Sequence, residues 1–145
     1  MKLAIGCDHG GLRLKTALAA KLREAGHDLL DVGTHDGASV DYPDRAHDAV
    51  RALLDGRVER VLLICGTGQG MAMAANKIPG VRAGVVADPF SAAMVAEHND
   101  ARVLCLGERV LGEGLAWACV TAWLEARFAG GRHEARVAGV ERGLA

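Results

Sequence analysis

The residues best placed to do chemistry gather at Cys65. There the aliphatic run Val61-Leu62-Leu63-Ile64 ends in a thiol, followed by Gly66-Thr67-Gly68-Gln69-Gly70-Met71 and an alanine-rich stretch. Such a run is the pattern of a strand buried on both faces, and alternating glycines let the backbone turn sharply and approach a ligand. The order is therefore strand, turn, helix. A helix starting at the turn aims its free N–H groups and dipole back at it, favouring a phosphate, a thiolate or a developing oxyanion. In those surroundings a cysteine becomes a nucleophile or base; without them it is a small buried hydrophobe.

Other polar residues fall at equivalent places. Asp8 and His9 follow the apolar run that ends at Cys7 and precede a helical pattern. Asp8 suits a helix cap, and beside a sugar the pair suits a hydroxyl and a phosphate. His98-Asn99-Asp100 reads as a polar turn, and histidine is the side chain best able to exchange a proton near neutral pH. Arg132 and Arg136, four apart, share one helical face near a helix start, where the dipole disfavours cations unless an anion offsets the cost. His27, His35 and His47 have no such setting and read as surface residues.

Two nucleotide or phosphate motifs come close without fitting. The loop offers Gly66-Thr67-Gly68, but Met71 stands where a dinucleotide fingerprint needs its third glycine, and no Gly-Lys-Ser/Thr follows. Cys7 and Arg13 have the Cys-x5-Arg spacing of a thiol phosphatase, with Asp88-Pro89 as a possible acid loop. Against that, Asp8 would repel a phosphate dianion within the cradle, and Leu14 replaces the expected hydroxyl residue.

Composition narrows the classes. The 145 residues fit one domain, and a net charge of −1 gives no general attraction to nucleic acid or an anionic membrane. Half the residues are hydrophobic but only 3% aromatic, so Ala, Val and Leu must build the core. Cys7, Cys65, Cys105 and Cys119 show no metal-like spacing, which fits free thiols in a reducing compartment. The first residues meet Asp8 and His9 too early for a signal-peptide core, and no apolar stretch approaches membrane-spanning length. The expectation is a soluble cytoplasmic protein without a metal.

The elements that must position these groups alternate. Strands are expected over 3–7, 29–32, 61–65, 81–87 and 103–106. Helices are expected over 12–25, from Pro43 to about 54, after the glycine turn, and over 91–97, 114–128 and 132–141. Alternation of this kind predicts βαβ units and a five-stranded parallel sheet covered on both faces, an α/β fold.

Five blocks in order, Ile5-Gly6-Cys7-Asp8-His9-Gly10-Gly11, Asp41-Tyr42-Pro43-Asp44, Cys65-Gly66-Thr67-Gly68 through Ala74-Ala75-Asn76-Lys77, His98-Asn99-Asp100-Ala101, and Gly131-Arg132-His133 with Arg136, resemble the ribose-5-phosphate isomerase B family. That family also includes galactose-6-phosphate isomerase subunits. The resemblance implies a Rossmann-like three-layer sandwich, a single domain over 1–145 with the C-terminal helix completing a phosphate site, and no cofactor. It further implies a homodimer, or a tetramer, with active sites shared between subunits, and a small phosphosugar as substrate. By the same resemblance Cys65 is the base moving a proton between C2 and C1, and the N–H groups from Gly66 through Gly68, Gly70 and Met71 to Ala72 hold the enediolate. Asp8, Thr67 and His98 assist ring opening, with His98 and Asn99 reaching in from the partner. His9, Arg132, Arg136 and the partner's Arg109 bind phosphate, and Tyr42 lines the sugar pocket.

The reaction implied is interconversion of ribose 5-phosphate and ribulose 5-phosphate through a cis-enediolate. The alternatives are another phosphosugar (allose 6-phosphate, galactose 6-phosphate or a tetrose 4-phosphate), a thiol phosphatase, or a non-catalytic binding module. The chain departs from the family pattern at Gln69, Ala72, Ala96 and Arg102.

Overall fold

A computed structural model describes residues 1–144. Five strands, β1 (Lys2–Cys7), β2 (Asp28–Asp31), β3 (Arg60–Cys65), β4 (Ala83–Val85) and β5 (Val103–Gly107), form one sheet in the order β2-β1-β3-β5-β4. Every pairing is parallel. Six helices connect or follow them: α1 (Leu12–Glu24), α2 (Tyr42–Leu54), α3 (Gln69–Asn76), α4 (Pro89–Asn99), α5 (Glu113–Glu125) and α6 (Arg132–Arg142). A parallel neighbour needs a crossover, and the helices that supply it must bury their apolar faces on the sheet.

They do so on both sides. Leu18, Leu22, Ala92, Val120 and Trp123, from α1, α4 and α5, pack on one face against Ile5, Leu62 and Leu104. Ala49, Val50, Met71 and Ala75, from α2 and α3, pack on the other against Ala4, Leu63 and Cys105. The result is the expected three-layer α/β sandwich. Trp123 is fully buried, and its indole N–H donates to the Ala101 carbonyl at 2.9 Å.

Three elements differ from the sequence expectations by two residues or more at an end. β4 covers Ala83–Val85 rather than 81–87, because Val81 is held in a turn by its N–H to the Ile78 carbonyl and β4 pairs only with β5. α4 runs to Asn99, since Asp88 caps its start through the Ser91 N–H at 2.7 Å and Asp100 ends it in the left-handed region at φ 47°. His98 and Asn99 are therefore the last turn of a helix, not a loop. α5 stops at Glu125, where Ala126 turns extended, short of the expected 128. No helix among the described residues is long and apolar enough to cross a membrane.

Candidate active site

Strand β3 carries Cys65 to the carboxyl edge of the sheet, the edge where open α/β sheets place their ligands. Two backbone bonds pin that strand end. The Glu108 N–H donates to the Cys65 carbonyl at 2.9 Å, and the Arg109 N–H to the Gly66 carbonyl at 3.0 Å. The chain then doubles back, and the Gly68 N–H donates to Cys65 Sγ at 3.0 Å. An N–H aimed at sulfur stabilises negative charge there. Only glycine makes this turn comfortably: Gly68 sits at φ 82°, and an added Cβ would lie 3.1 Å from the Leu106 backbone.

Gly68 is also the N-cap residue of α3. The Gln69 N–H is taken by Thr67 Oγ1 at 3.3 Å. The N–H groups of Gly66, Thr67, Gly70 and Met71 have no acceptor among the described residues, so they stand open at the positive end of the helix dipole. The expected donor row shortens at its far end. Ala72 gives its N–H to the Gly68 carbonyl at 3.1 Å as part of the helix, and the open donors stop at Met71.

Around the thiol the neighbouring strand end and two helices close in. Asp8 is buried and its Oδ1 accepts the Gly10 N–H at 2.9 Å, capping a short 3-10 turn over His9–Gly11. The capping reading of Asp8 is therefore realised, with Oδ2 accepting from no donor among the described residues. An added Cβ on Gly10 would come within 3.3 Å of the Gly66 nitrogen, which shows how closely the two strand ends meet. His9 is exposed, and its Nδ1 accepts the Val40 N–H at 3.2 Å. That bond leaves the proton of a neutral ring on Nε2, facing out as a donor. The Tyr42 ring lies over Gly70, where a Cβ would be 2.8 Å from it. The Arg109 side chain lies along Gly66, its guanidinium carbon 3.6 Å from the position a Cβ would take.

The remaining candidates sit at the other edge. His98 and Asn99 end α4 beside the starts of β4 and β5, since Arg82 Nε donates to the Asn99 carbonyl at 2.8 Å and Val61 to the Arg102 carbonyl at 2.8 Å. α6 lies along the same edge, with His133 stacked on His98 and Glu141 accepting the Gly80 N–H at 3.0 Å. At about 3.3 Å per residue, β3 alone separates the two groups by roughly 16 Å. This chain's own Arg109 lies against the Cys65 loop, whereas Arg132 and Arg136 share an edge with His98. Helix α6 is present where expected, but within one chain it does not reach Cys65. Of the departures from the family pattern, Ala96 is buried in the core and Arg102 is exposed at the amino edge.

All four thiols are buried. Desolvation pushes Cys7 up to about 11, and raises Cys105 and Cys119 as well. Sequence reasoning missed several residues that hold the site in place. Glu108 accepts the Leu14 N–H at 2.8 Å and ties the β5 loop to α1. Lys15 is buried, with Nζ bonded to both Asp31 oxygens at 2.7 and 2.9 Å and to the Thr34 carbonyl at 2.7 Å. Its signal was present, because position 15 falls on the apolar stripe of Leu14, Leu18 and Leu22. Arg82 and Glu141 pair with each other across a sequence gap that no periodicity reveals.

Comparison with known proteins meets the same arrangement. The family model for ribose/galactose isomerases matches residues 3–140. Ribose-5-phosphate isomerase B of Escherichia coli strain K12 is 46% identical over 136 residues, covering 94% of this chain and 91% of that protein. A D-erythrulose-4-phosphate isomerase of Pectobacterium atrosepticum is 39% identical over 132 residues, covering 90% and 87%. The solved structure of Clostridium thermocellum ribose-5-phosphate isomerase B superposes with a TM-score of 0.96 at 48% identity, covering 98% of this chain and 96% of that one. By sequence over nearly its whole length and by fold, this chain belongs to the ribose/galactose isomerase family of sugar-phosphate isomerases.

Proposed function

We propose that this chain interconverts ribose 5-phosphate and ribulose 5-phosphate, with Cys65 as the base. The observation that carries this reading is the Gly68 N–H on Cys65 Sγ, beside open donors at the start of α3. An aldose–ketose isomerisation needs a base beside the carbon acid and fixed donors for the enediolate oxygen. Cys65 takes the proton from C2 of the open-chain aldose as the C2–H pair becomes the C1=C2 bond and the C1 carbonyl pair goes to O1. A proton then passes from O2 to O1 between the cis oxygens, and as an O2 pair forms the C2 carbonyl the C1=C2 pair takes the proton back from Cys65 at C1. The open N–H groups of Gly66, Thr67, Gly70 and Met71 hold the negative oxygen. His9 and Arg109 offer donors for the phosphate, whose binding orients the reacting end, and the Tyr42 ring walls the sugar.

A complete site in this reading needs a second copy. Asp8, His9, Cys65 and Arg109 stand at the carboxyl edge, and His98, Asn99, Arg132 and Arg136 at the amino edge. A twofold pairing lays one edge against the other, so that the partner's His98 assists ring opening with Asp8 and Thr67. The short β4 strand at the open end of the sheet and the exposed Met73 on α3 supply surface for that contact. We place the enzyme in the cytoplasm on the same reading, as four free thiols suit a reducing compartment.

The test is turnover of ribose 5-phosphate, erythrose 4-phosphate, allose 6-phosphate and galactose 6-phosphate in deuterated water. The expected result is the highest kcat/KM with ribose 5-phosphate and solvent deuterium at C1 of the ketose. Preference for the tetrose, the chemistry named in the Pectobacterium relative, would keep the mechanism and replace the substrate. Phosphate release without isomerisation, or binding without deuterium entry, would sink the isomerase reading.

A further inference from the structure

His98 does not hold its orientation alone. Its ring lies flat on that of His133, with centroids 4.3 Å apart and planes 12° from parallel. His133 is only 8% exposed, whereas His98 is half-buried, so the inner ring forms a plate behind the outer one. The segment leading into α6 is tied to α4 beside the stack by the Ala129 N–H to the Glu97 carbonyl at 2.9 Å. At its far end α6 is held by Glu141, which accepts from Gly80 at 3.0 Å and pairs with Arg82. Arg82 also bonds the Asn99 carbonyl at 2.8 Å and the Asp100 carboxylate at 2.8 Å. The stack is therefore gripped from both sides.

What normally orients a functional histidine is a hydrogen bond to its second ring nitrogen. Among the described residues neither imidazole has such a partner, in contrast with His9 and its Val40 donor. Contact between the ring faces is what remains to fix His98. The surroundings also keep the inner ring from charging: burial, His98, Arg132 and Arg136 all act to lower His133.

We propose that His133 is a positioning residue for His98, its stacked ring holding the His98 imidazole in the one orientation that serves ring opening of a cyclic sugar phosphate. This rests on the reading of His98 given above. In ring opening the anomeric hydroxyl gives its proton to the Asp8 carboxylate across the paired subunits, the C1–O4 bond breaks with its electron pair going to O4, the C1 carbonyl forms, and O4 gains a proton. His98 is the group that delivers the proton at O4. A ring free to swing about its χ angles would spend most of its time elsewhere, and the loss would fall on ring opening alone.

The chemistry supplies a clean separation. Ribose 5-phosphate is largely a closed furanose, but ribulose 5-phosphate has its O5 esterified and cannot close a five-membered ring. Turnover of the first requires ring opening; entry of solvent deuterium at C1 of the second requires only the base and the oxyanion donors. His133→Leu, which keeps bulk without an aromatic plane, should lower ribose 5-phosphate turnover about tenfold or more and leave deuterium entry within about twofold. His133→Phe, which restores a flat ring, should recover most of the turnover, and the His98 Hε1 resonance should shift in the Leu variant as the ring current is removed. A parallel fall in both reactions, unchanged turnover in both variants, or failure of Phe to rescue while the Leu variant is folded would each overturn the proposal. His98→Ala separates this from the underlying reading. Normal ribose 5-phosphate turnover in that variant overturns the ring-opening role of His98 and the proposal with it, whereas loss there with intact His133 variants overturns the proposal alone.

Discussion

Cys7 and Cys65 end adjacent parallel strands at the same edge of the sheet, one residue out of register, and both are buried. Their backbone surroundings have opposite polarity. Cys7 Sγ faces the Thr34 carbonyl at 3.9 Å, and burial holds its proton. Cys65 Sγ accepts the Gly68 N–H at 3.0 Å. Even the Lys15 ammonium near Cys7 does not compensate, since burial outweighs it and leaves the thiol at about 11. Residue type and position at a strand end thus do not decide what meets a sulfur; the backbone packed against it does, a carbonyl from the loop after β2 for Cys7 and an N–H from the turn into α3 for Cys65.

The widest separation between the two thiols should be kinetic. Cys65→Ala should lower kcat for the preferred phosphosugar roughly 10³-fold, in the range expected for a positioned base, with KM little changed. Cys7→Ala should leave kcat within about threefold and cost about 1 kcal/mol of stability through lost packing. Steady-state kinetics with urea unfolding of both variants checks this. Comparable activity in the two variants would erase the distinction.

A second substitution tests the turn while leaving both thiols in place. Gly68→Ala puts a Cβ into a left-handed residue and within 3.1 Å of the Leu106 backbone. The strain is about 1–2 kcal/mol, and its relief rotates the peptide whose N–H meets Cys65. Stability should fall by about that amount, and kcat by roughly 10- to 100-fold, as for loss of one oxyanion-type donor. Denaturant melts and kinetics on the same preparation read both. Gly26, whose φ of 88° also requires glycine but which has open space around it, serves as control, because Gly26→Ala carries the strain without touching the site.

Much of this contrast was legible before any coordinates. The Val61–Ile64 run, the alternating glycines and the alanine-rich continuation fixed strand, turn and helix, since each rests on local sterics and burial. The same pattern could not show which N–H groups remain open, and Ala72 was miscounted for that reason: helix hydrogen bonding, not composition, spends its donor. Nor could it show that Arg132 and Arg136 lie an entire strand length from Cys65. Edge placement follows from how many times the chain crosses the sheet, and a residue four positions into a helix carries no mark of it. The His98–His133 stack was invisible for the same reason, being a contact between elements separated by α5.

The smallest expected difference concerns alkaline pH. In the folded protein Cys7 keeps its proton up to about 11, against an ordinary value of 9.0 in the unfolded chain. Between those values the unfolded state gives up a proton that the folded state retains, so stability is full below pH 9 and falls as pH rises toward 11. The total available from this one thiol is on the order of 3 kcal/mol, at about 1.4 kcal/mol per pH unit. Cys105 and Cys119, also raised by burial, act in the same direction, so the parent protein should lose stability steeply over this range. Cys7→Ala should lose less, by on the order of 1–2 kcal/mol between pH 8 and 10.5, and its stability should approach that of the parent as pH rises. Urea midpoints measured at half-unit steps give the two slopes. Parallel slopes would mean that Cys7 carries a charge within the folded protein over this range, and that burial does not hold its proton.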